Sequence, residues 1–269
     1  MGRKAFVFDV ARCSGCYCCQ LACKDEHCGN DFTPIAAPQP DIGQFWVKVK
    51  DYVNGSAPKV TVHYVPEMCN HCEKCSLLAI AKDGDVYRRE DGLIIIDPVK
   101  AKGRKDLATA CPYGAVYWNA ELNVAQKCTG CAHLLDGADP MISVPRCFDN
   151  CPTGAIQWGE EDELDLEGAE LLHPEYGTKS HVWYKGLPKK FVAGIVYDPV
   201  EKEIVEGAKC TLVGPSGSFT AMTDDMGDFW LRGLPEDDWT LTIEGLGRTK
   251  VIEVSTKTED VGLGDIALD

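Results

Sequence analysis

Cysteine thiolates spaced Cys-x2-Cys-x2-Cys-x3-Cys can hold a cubane of iron and sulfide, and Cys13, Cys16, Cys19 and Cys23 have that spacing. Three further segments read in the same register. One carries Cys69, Cys72 and Cys75, with Ala79 where a fourth cysteine would stand. Another keeps only Cys111; counting back from it gives Ala101, Arg104 and Leu107. Gly103 precedes Arg104 as Gly15 precedes Cys16, which supports that register. The last carries Cys128, Cys131, Cys147 and Cys151, with a loop inserted before its third cysteine.

A tight loop supplies only three of the four thiolates that a cubane needs. In two-cluster ferredoxins the fourth cysteine of each run, usually followed by Pro, crosses to the other cluster. Crossing the outer segments gives Cys13, Cys16, Cys19 and Cys151 as one ligand set, and Cys23, Cys128, Cys131 and Cys147 as a second. Crossing the inner segments gives Cys69, Cys72, Cys75 and Cys111 as a third. What remains is Ala79, Ala101, Arg104 and Leu107, none of them a ligand. Three complete sets and one wholly empty set are the pattern of a cluster lost as a unit. The expectation is three 4Fe-4S clusters. The competing reading, a zinc-stabilised interaction module, starts from the isolated Cys-x2-Cys pairs. Cys18 and Cys28 fit no set and read as packed thiols, and His71, between Cys69 and Cys72, reads as a hydrogen-bonding neighbour of a cluster.

These loops need strands and short helices to position them. Phe6-Val-Phe-Asp9 stands before Cys13 much as Ile94-Ile-Ile-Asp97 stands before Ala101. Cys111-Pro-Tyr-Gly-Ala-Val-Tyr-Trp118 repeats in Cys151-Pro-Thr-Gly-Ala-Ile-Gln-Trp158, with Trp118 and Trp158 read as core. Such repeats predict an α+β domain over 1–187, built of two ferredoxin-like units, the inner inserted in the outer. The acidic run from Glu160 to Glu167 reads as solvated surface. From residue 188 the texture changes to short alternating runs, Phe191–Tyr197, Lys209–Val213, Gly227–Leu231, Trp239–Glu244 and Lys250–Ser255, divided by Gly and Pro turns. They predict an all-β sandwich over 188–269, with Cys210 a small core residue.

Fifteen cysteines could also mean a disulfide framework, but that suits small secreted domains, and fourteen of the fifteen lie before residue 152 in a chain of 269. A net charge of -15 argues against nucleic acid as a partner class. No apolar run is long enough for a membrane span or signal peptide, so the expected location is cytoplasmic, with no membrane anchor. A P-loop, a Rossmann fingerprint and a nucleophile elbow are all missing from the sequence, so no bond chemistry is expected of this chain.

The four-segment layout, above all Cys69-Asn-His-Cys72, Ala110-Cys-Pro-Tyr-Gly-Ala115 and Cys128-Thr-Gly-Cys131, resembles the iron–sulfur subunits of the dimethyl sulfoxide reductase family of molybdenum enzymes. The resemblance spans residues 1 to about 160. It implies electron transfer to a large molybdopterin-containing catalytic subunit, in a heterodimer, with molybdopterin in that partner only. Members usually carry four clusters in a line, and the one corresponding to Ala79, Ala101, Arg104 and Leu107 lies toward a membrane subunit. Its loss implies a wire that stops short of any membrane. Within the family, three clusters and an added sandwich look like the small subunits of hydroxyl-transferring enzymes. An electron carrier for another soluble molybdenum or tungsten reductase is the alternative. The last 80 or so residues resemble carboxypeptidase-regulatory or transthyretin-like sandwich modules, for which docking or stabilisation is the expected role.

Overall fold

The computed structural model describes residues 2–137 and 142–269. The loop inserted between Cys131 and Cys147 therefore lies partly outside the described residues. The chain forms two compact units, Met1–Asp51 with His63–Leu187, and Tyr52–Val62 with Pro188–Asp269. The second unit thus takes in residues 188–269 together with a hairpin tip from earlier in the chain.

In the first unit, β1 (Lys4–Asp9) leads through the Cys13–Cys19 loop into α1 (Cys18–His27). Then follow β2 (Val47–Ser56), β3 (Lys59–Met68), α2 (Ser76–Ala79), β4 (Val86–Arg88), β5 (Ile94–Ile96) and α3 (Leu107–Ala110). The chain continues through β6 (Tyr117–Asn119), β7 (Val124–Gln126), α4 (Ala132–Leu135), α5 (Arg146–Asp149), β8 (Ile156–Glu160) and β9 (Val182–Lys185). β1 is central in a three-stranded sheet, antiparallel to β8 and parallel to β9. Its run of aromatic and β-branched residues is buried on both faces, so Phe6 meets Trp158 at 4.4 Å between ring centroids and Phe8 meets Tyr184 at 5.6 Å. The β4–β5 and β6–β7 hairpins contribute Val86, Ile94, Ile96 and Ala125 to a separate core, against which Trp118 packs. The acidic run is less free than expected. Glu160 pairs with Lys4 at 2.8 Å, and Glu161 accepts from Trp183 Nε1 at 2.8 Å, so its start is fastened to the sheet.

The second unit is a sandwich. One sheet centres on β10 (Lys190–Asp198), flanked by β11 (Glu203–Ile204) and β14 (Asp228–Leu234) antiparallel and β17 (Val261–Ala267) parallel. The other runs β13 (Gly217–Met222), β12 (Lys209–Gly214), β15 (Asp238–Gly245), β16 (Arg248–Ser255), all antiparallel. Between them Val192, Leu212, Phe229, Trp239, Leu241 and Ile266 are buried, with Cys210 fully enclosed. Trp239 donates its indole N–H to Thr256 Oγ1 at 2.9 Å, which satisfies the one polar atom of its ring. β11, β13 and β17 are not among the strands expected from the sequence. The two glycines of β17 weaken its local preference, and its parallel pairing with β10 comes from residues far away in sequence. The hairpin tip joins this unit through Lys59, which is 6% exposed, ion-pairs with Asp228 and lies 5.6 Å from the Trp230 ring centroid.

Candidate iron–sulfur centres

Each expected ligand loop follows a strand and turns on a residue with positive φ, two places after the first cysteine position. These residues are Gly15 (66°), His71 (46°), Gly103 (81°) and Gly130 (65°). The agreement at Gly103 extends the repeat to the segment that has no cysteines at those positions. A left-handed residue lets the loop curl so that successive thiols face inward. At Gly15 the space is closed as well as the dihedral, since a Cβ would stand 2.6 Å from the ring of Tyr64. Gly15→Ala is therefore expected to cost about 1–3 kcal/mol of stability, read as a lower thermal midpoint. Tyr64→Ala added to it should recover the steric part of that loss and leave the dihedral part.

The fourth-position cysteines sit in matching turns. Gly114 N–H donates to Cys111 O at 3.1 Å and Gly154 N–H to Cys151 O at 3.3 Å, and both glycines have positive φ. These turns bring Cys111 and Cys151 back across the fold. Cys13, Cys16, Cys19 and Cys151 line one cavity, together with Phe8, Asp9 and Tyr17. Cys69, Cys72, Cys75 and Cys111 line another, with His71 and Lys127. Cys23, Cys128, Cys131 and Cys147 are all buried.

Electrostatics sort the thiols in the same way. Burial pushes Cys19 up to about 12, and Cys13, Cys151 and Cys16 add to it. Burial likewise raises Cys72 to about 12, with Cys69, Cys75 and Cys111 contributing. Cys23 and Cys147 are held well above the ordinary thiol value by burial, then by Cys128 and Cys131. Cys128 is pushed to about 12 by burial and next by Cys69 of the neighbouring cavity. Cys19 also acts on Cys23 and Cys147. The three groups of thiols thus adjoin in the order Cys13 set, Cys23 set, Cys69 set. Cys16 is exposed, and the Cys18 N–H holds its pKa below the ordinary thiol value.

Four thiolates around one dehydrated cavity repel one another and lack solvation, so they require a cationic group between them. All fifteen cysteines are free thiols. Four sulfur donors around each of the two cavities suit a sulfur-ligated group. Gly130 N–H already donates to Cys128 Sγ at 3.3 Å, a contact that favours the ionised sulfur. Cys28 donates to Asp41 at 3.4 Å, and Cys18 rests against Cys16; neither lines a four-cysteine cavity.

The fourth, ligand-free position is packed. Ala101 and Leu107 are fully buried in the core cluster against which Cys75 and Cys111 lie. Arg104 donates to Ile80 O at 2.8 Å, one residue beyond the exposed Ala79, and forms ion pairs with buried Asp85 and with Asp106. The guanidinium is thus committed to two carboxylates, and apolar side chains take up the interior.

Residues 60–161 match the family model of a 4Fe-4S dicluster domain. The chain is 38% identical to the pyrogallol hydroxytransferase small subunit of Pelobacter acidigallici, over 97% of this chain and 98% of that one. It is 30% identical to a tetrathionate reductase subunit of Salmonella typhimurium, over 72% and 76% of the two chains. It is also 30% identical to a subunit of the anaerobic dimethyl sulfoxide reductase of Escherichia coli, over 67% and 87%. Among the described residues, no helix is long and apolar enough to cross a membrane.

Proposed function

The chain is a member of the iron–sulfur subunits of the dimethyl sulfoxide reductase family of molybdenum enzymes, and on that premise we propose that it carries three 4Fe-4S clusters in a line. Cys13, Cys16, Cys19 and Cys151 hold the first. Cys23, Cys128, Cys131 and Cys147 hold the second, and Cys69, Cys72, Cys75 and Cys111 the third. The carrying observation is that eight of these cysteines, chosen by spacing alone, wall two cavities in two complete fours. When bound, such clusters take up and release single electrons. The chain is the electron-transferring, non-catalytic subunit; bond chemistry belongs to its catalytic molybdenum partner.

The same reading extends to the partner. Similarity along nearly the whole length to a pyrogallol hydroxytransferase small subunit supports a large partner that moves hydroxyl groups between polyhydroxybenzenes. We infer molybdopterin in that partner, and a cytoplasmic heterodimer without a membrane anchor. The exposed Cys16 favours electron exchange with that partner at the Cys13 set. Two nested ferredoxin-like units, the inner carrying the Cys69 set, account for the crossing of ligands. A vacated fourth site at Ala79, Ala101, Arg104 and Leu107 ends the line beyond Cys75 and Cys111. Because a cubane needs four thiolates, Leu107→Cys alone should add no iron, and elemental analysis of that variant checks it.

Co-purification of the chain with its partner, followed by molybdenum analysis and a pyrogallol–phloroglucinol assay, tests the assignment. Hydroxyl transfer without consumption of an external electron donor supports it. A molybdenum or tungsten partner that instead reduces an acceptor at the expense of electrons favours the soluble reductase alternative.

A further inference from the structure

His71 stands where the three equivalent loops have glycine. It holds φ at 46° despite carrying a Cβ, so the fold accepts a strained backbone to keep an imidazole there. The ring is 2% exposed. Ile94 N–H donates to its Nδ1 at 3.0 Å, which leaves the ring hydrogen on Nε2. Nε2 is buried and has no partner in the protein. An unmet buried donor costs roughly 1–3 kcal/mol, and His71 lines the cavity of Cys69, Cys72, Cys75 and Cys111. Lys127 lines the same cavity, 3% exposed, with its amine donating to Ile94 O and, at 2.9 Å, to Cys128 O. One residue of the chain, Ile94, thus anchors both groups through its backbone. The cavity of the Cys13 set contrasts with this one. It is lined by Asp9 and by no histidine or lysine, and Arg12, which donates to Thr153 O there, is exposed and screened by water.

We propose that His71 Nε2–H donates to the sulfur of the group held by Cys69, Cys72, Cys75 and Cys111, and with Lys127 makes that site accept an electron before the site of the Cys13 set does. This rests on the three-cluster reading above. Hydrogen bonds to sulfur and nearby positive charge stabilise the reduced, more negative state, whereas a carboxylate such as Asp9 disfavours it. One electron arrives, no bond is made or broken, and the proton remains on His71. Of the two ends of the line, the one farther from the exposed Cys16 then holds the electron.

The test is a potentiometric titration of the anaerobically purified complex, followed by electron paramagnetic resonance, with iron counted in every sample. His71→Phe should lower the reduced-to-oxidised ratio of one component, reduced ahead of the lowest-potential one, about tenfold at a fixed potential, equivalent to about 59 mV for one electron. His71→Gln, which keeps an N–H donor, should recover part of that shift, and Lys127→Met should move the same component downward. Unchanged potentials in His71→Phe at full iron content would overturn the proposal. Should that variant lose iron, the complex that keeps His71, labelled with 15N-histidine, decides. His27 Nε2 stands 3.9 Å from Cys131 Sγ, so the labelled measurement is made in His27→Leu. Histidine nitrogen coupling to a component reduced ahead of the last one supports the assignment; coupling confined to the last-reduced component, or to none, overturns it. A wild-type complex without iron would instead remove the cluster reading itself.

Discussion

Replacing Cys128 with alanine is expected to lower iron from about twelve atoms per chain to about eight or fewer, with labile sulfide falling in step. Cys128 is buried, and Cys23, Cys131 and Cys147 are buried with it, so no water-accessible substitute ligand is at hand. Its loss leaves three thiols facing a hole at the middle of the line. Ligation free energy in such a domain is largely folding free energy, so the first unit should also melt earlier and resist proteolysis less. Cys18→Ala and Cys28→Ala are the controls. Both side chains lie outside the cavities, and their iron should stay at about twelve. Elemental analysis decides it: about sixteen iron atoms in the wild type, or stoichiometric zinc, would sink the ligand assignment.

A fragment of residues 188–269, expressed alone and without iron, is expected to be soluble and β-rich by circular dichroism. Its core, from Val192 to Leu268, is contributed wholly by that segment. It should nonetheless melt roughly 10 °C below the sandwich of the intact chain. The fragment lacks Lys59, whose ion pair with Asp228 and position over Trp230 are mostly shielded from water. Losing one partner of a fully buried pair costs about 3–5 kcal/mol; with Asp228 25% exposed, about 2 kcal/mol is reasonable. For a domain of this size that corresponds to the shift stated. Lys59→Ala in the intact chain should reproduce most of it. A disordered spectrum from the fragment would mean that the sandwich cannot fold without the hairpin tip.

The cysteine loops were legible because their pattern is written locally. Thiol spacing, a positive-φ residue and a Cys-Pro turn are each complete within a few residues, and Cys151 and Cys111 line the cavities of the distant loops that spacing assigned them to. The special place of His71 also carried a signal: aligned on the first cysteine position, it falls on Gly15, Gly103 and Gly130. What that alignment cannot supply is its tautomer, which depends on the Ile94 N–H donating from a strand twenty-three residues away. The same limit explains β17, whose register comes from β10, and the allegiance of the hairpin tip, set by Asp228 and Trp230. At the ligand-free site, spacing located Ala101, Arg104 and Leu107, but only packing revealed that Arg104 is occupied by Asp85 and Asp106.

Because the hairpin tip belongs to the second unit, the backbone passes between the units at three places: 51–52, 62–63 and 187–188. A protease that cuts once near residue 187 therefore severs the peptide link without freeing the sandwich. The nicked protein should still migrate as one species under native conditions and part only in denaturant. Gene truncation at the same point would be less forgiving. It would strip the cover from Lys59 and from Gly55, whose close neighbour is Phe191, and leave a bare strand end open to pairing with other chains. A module attached in this way is hard to shed by a single deletion, so an ancestor that gained both the sandwich and its clasp would tend to keep them together.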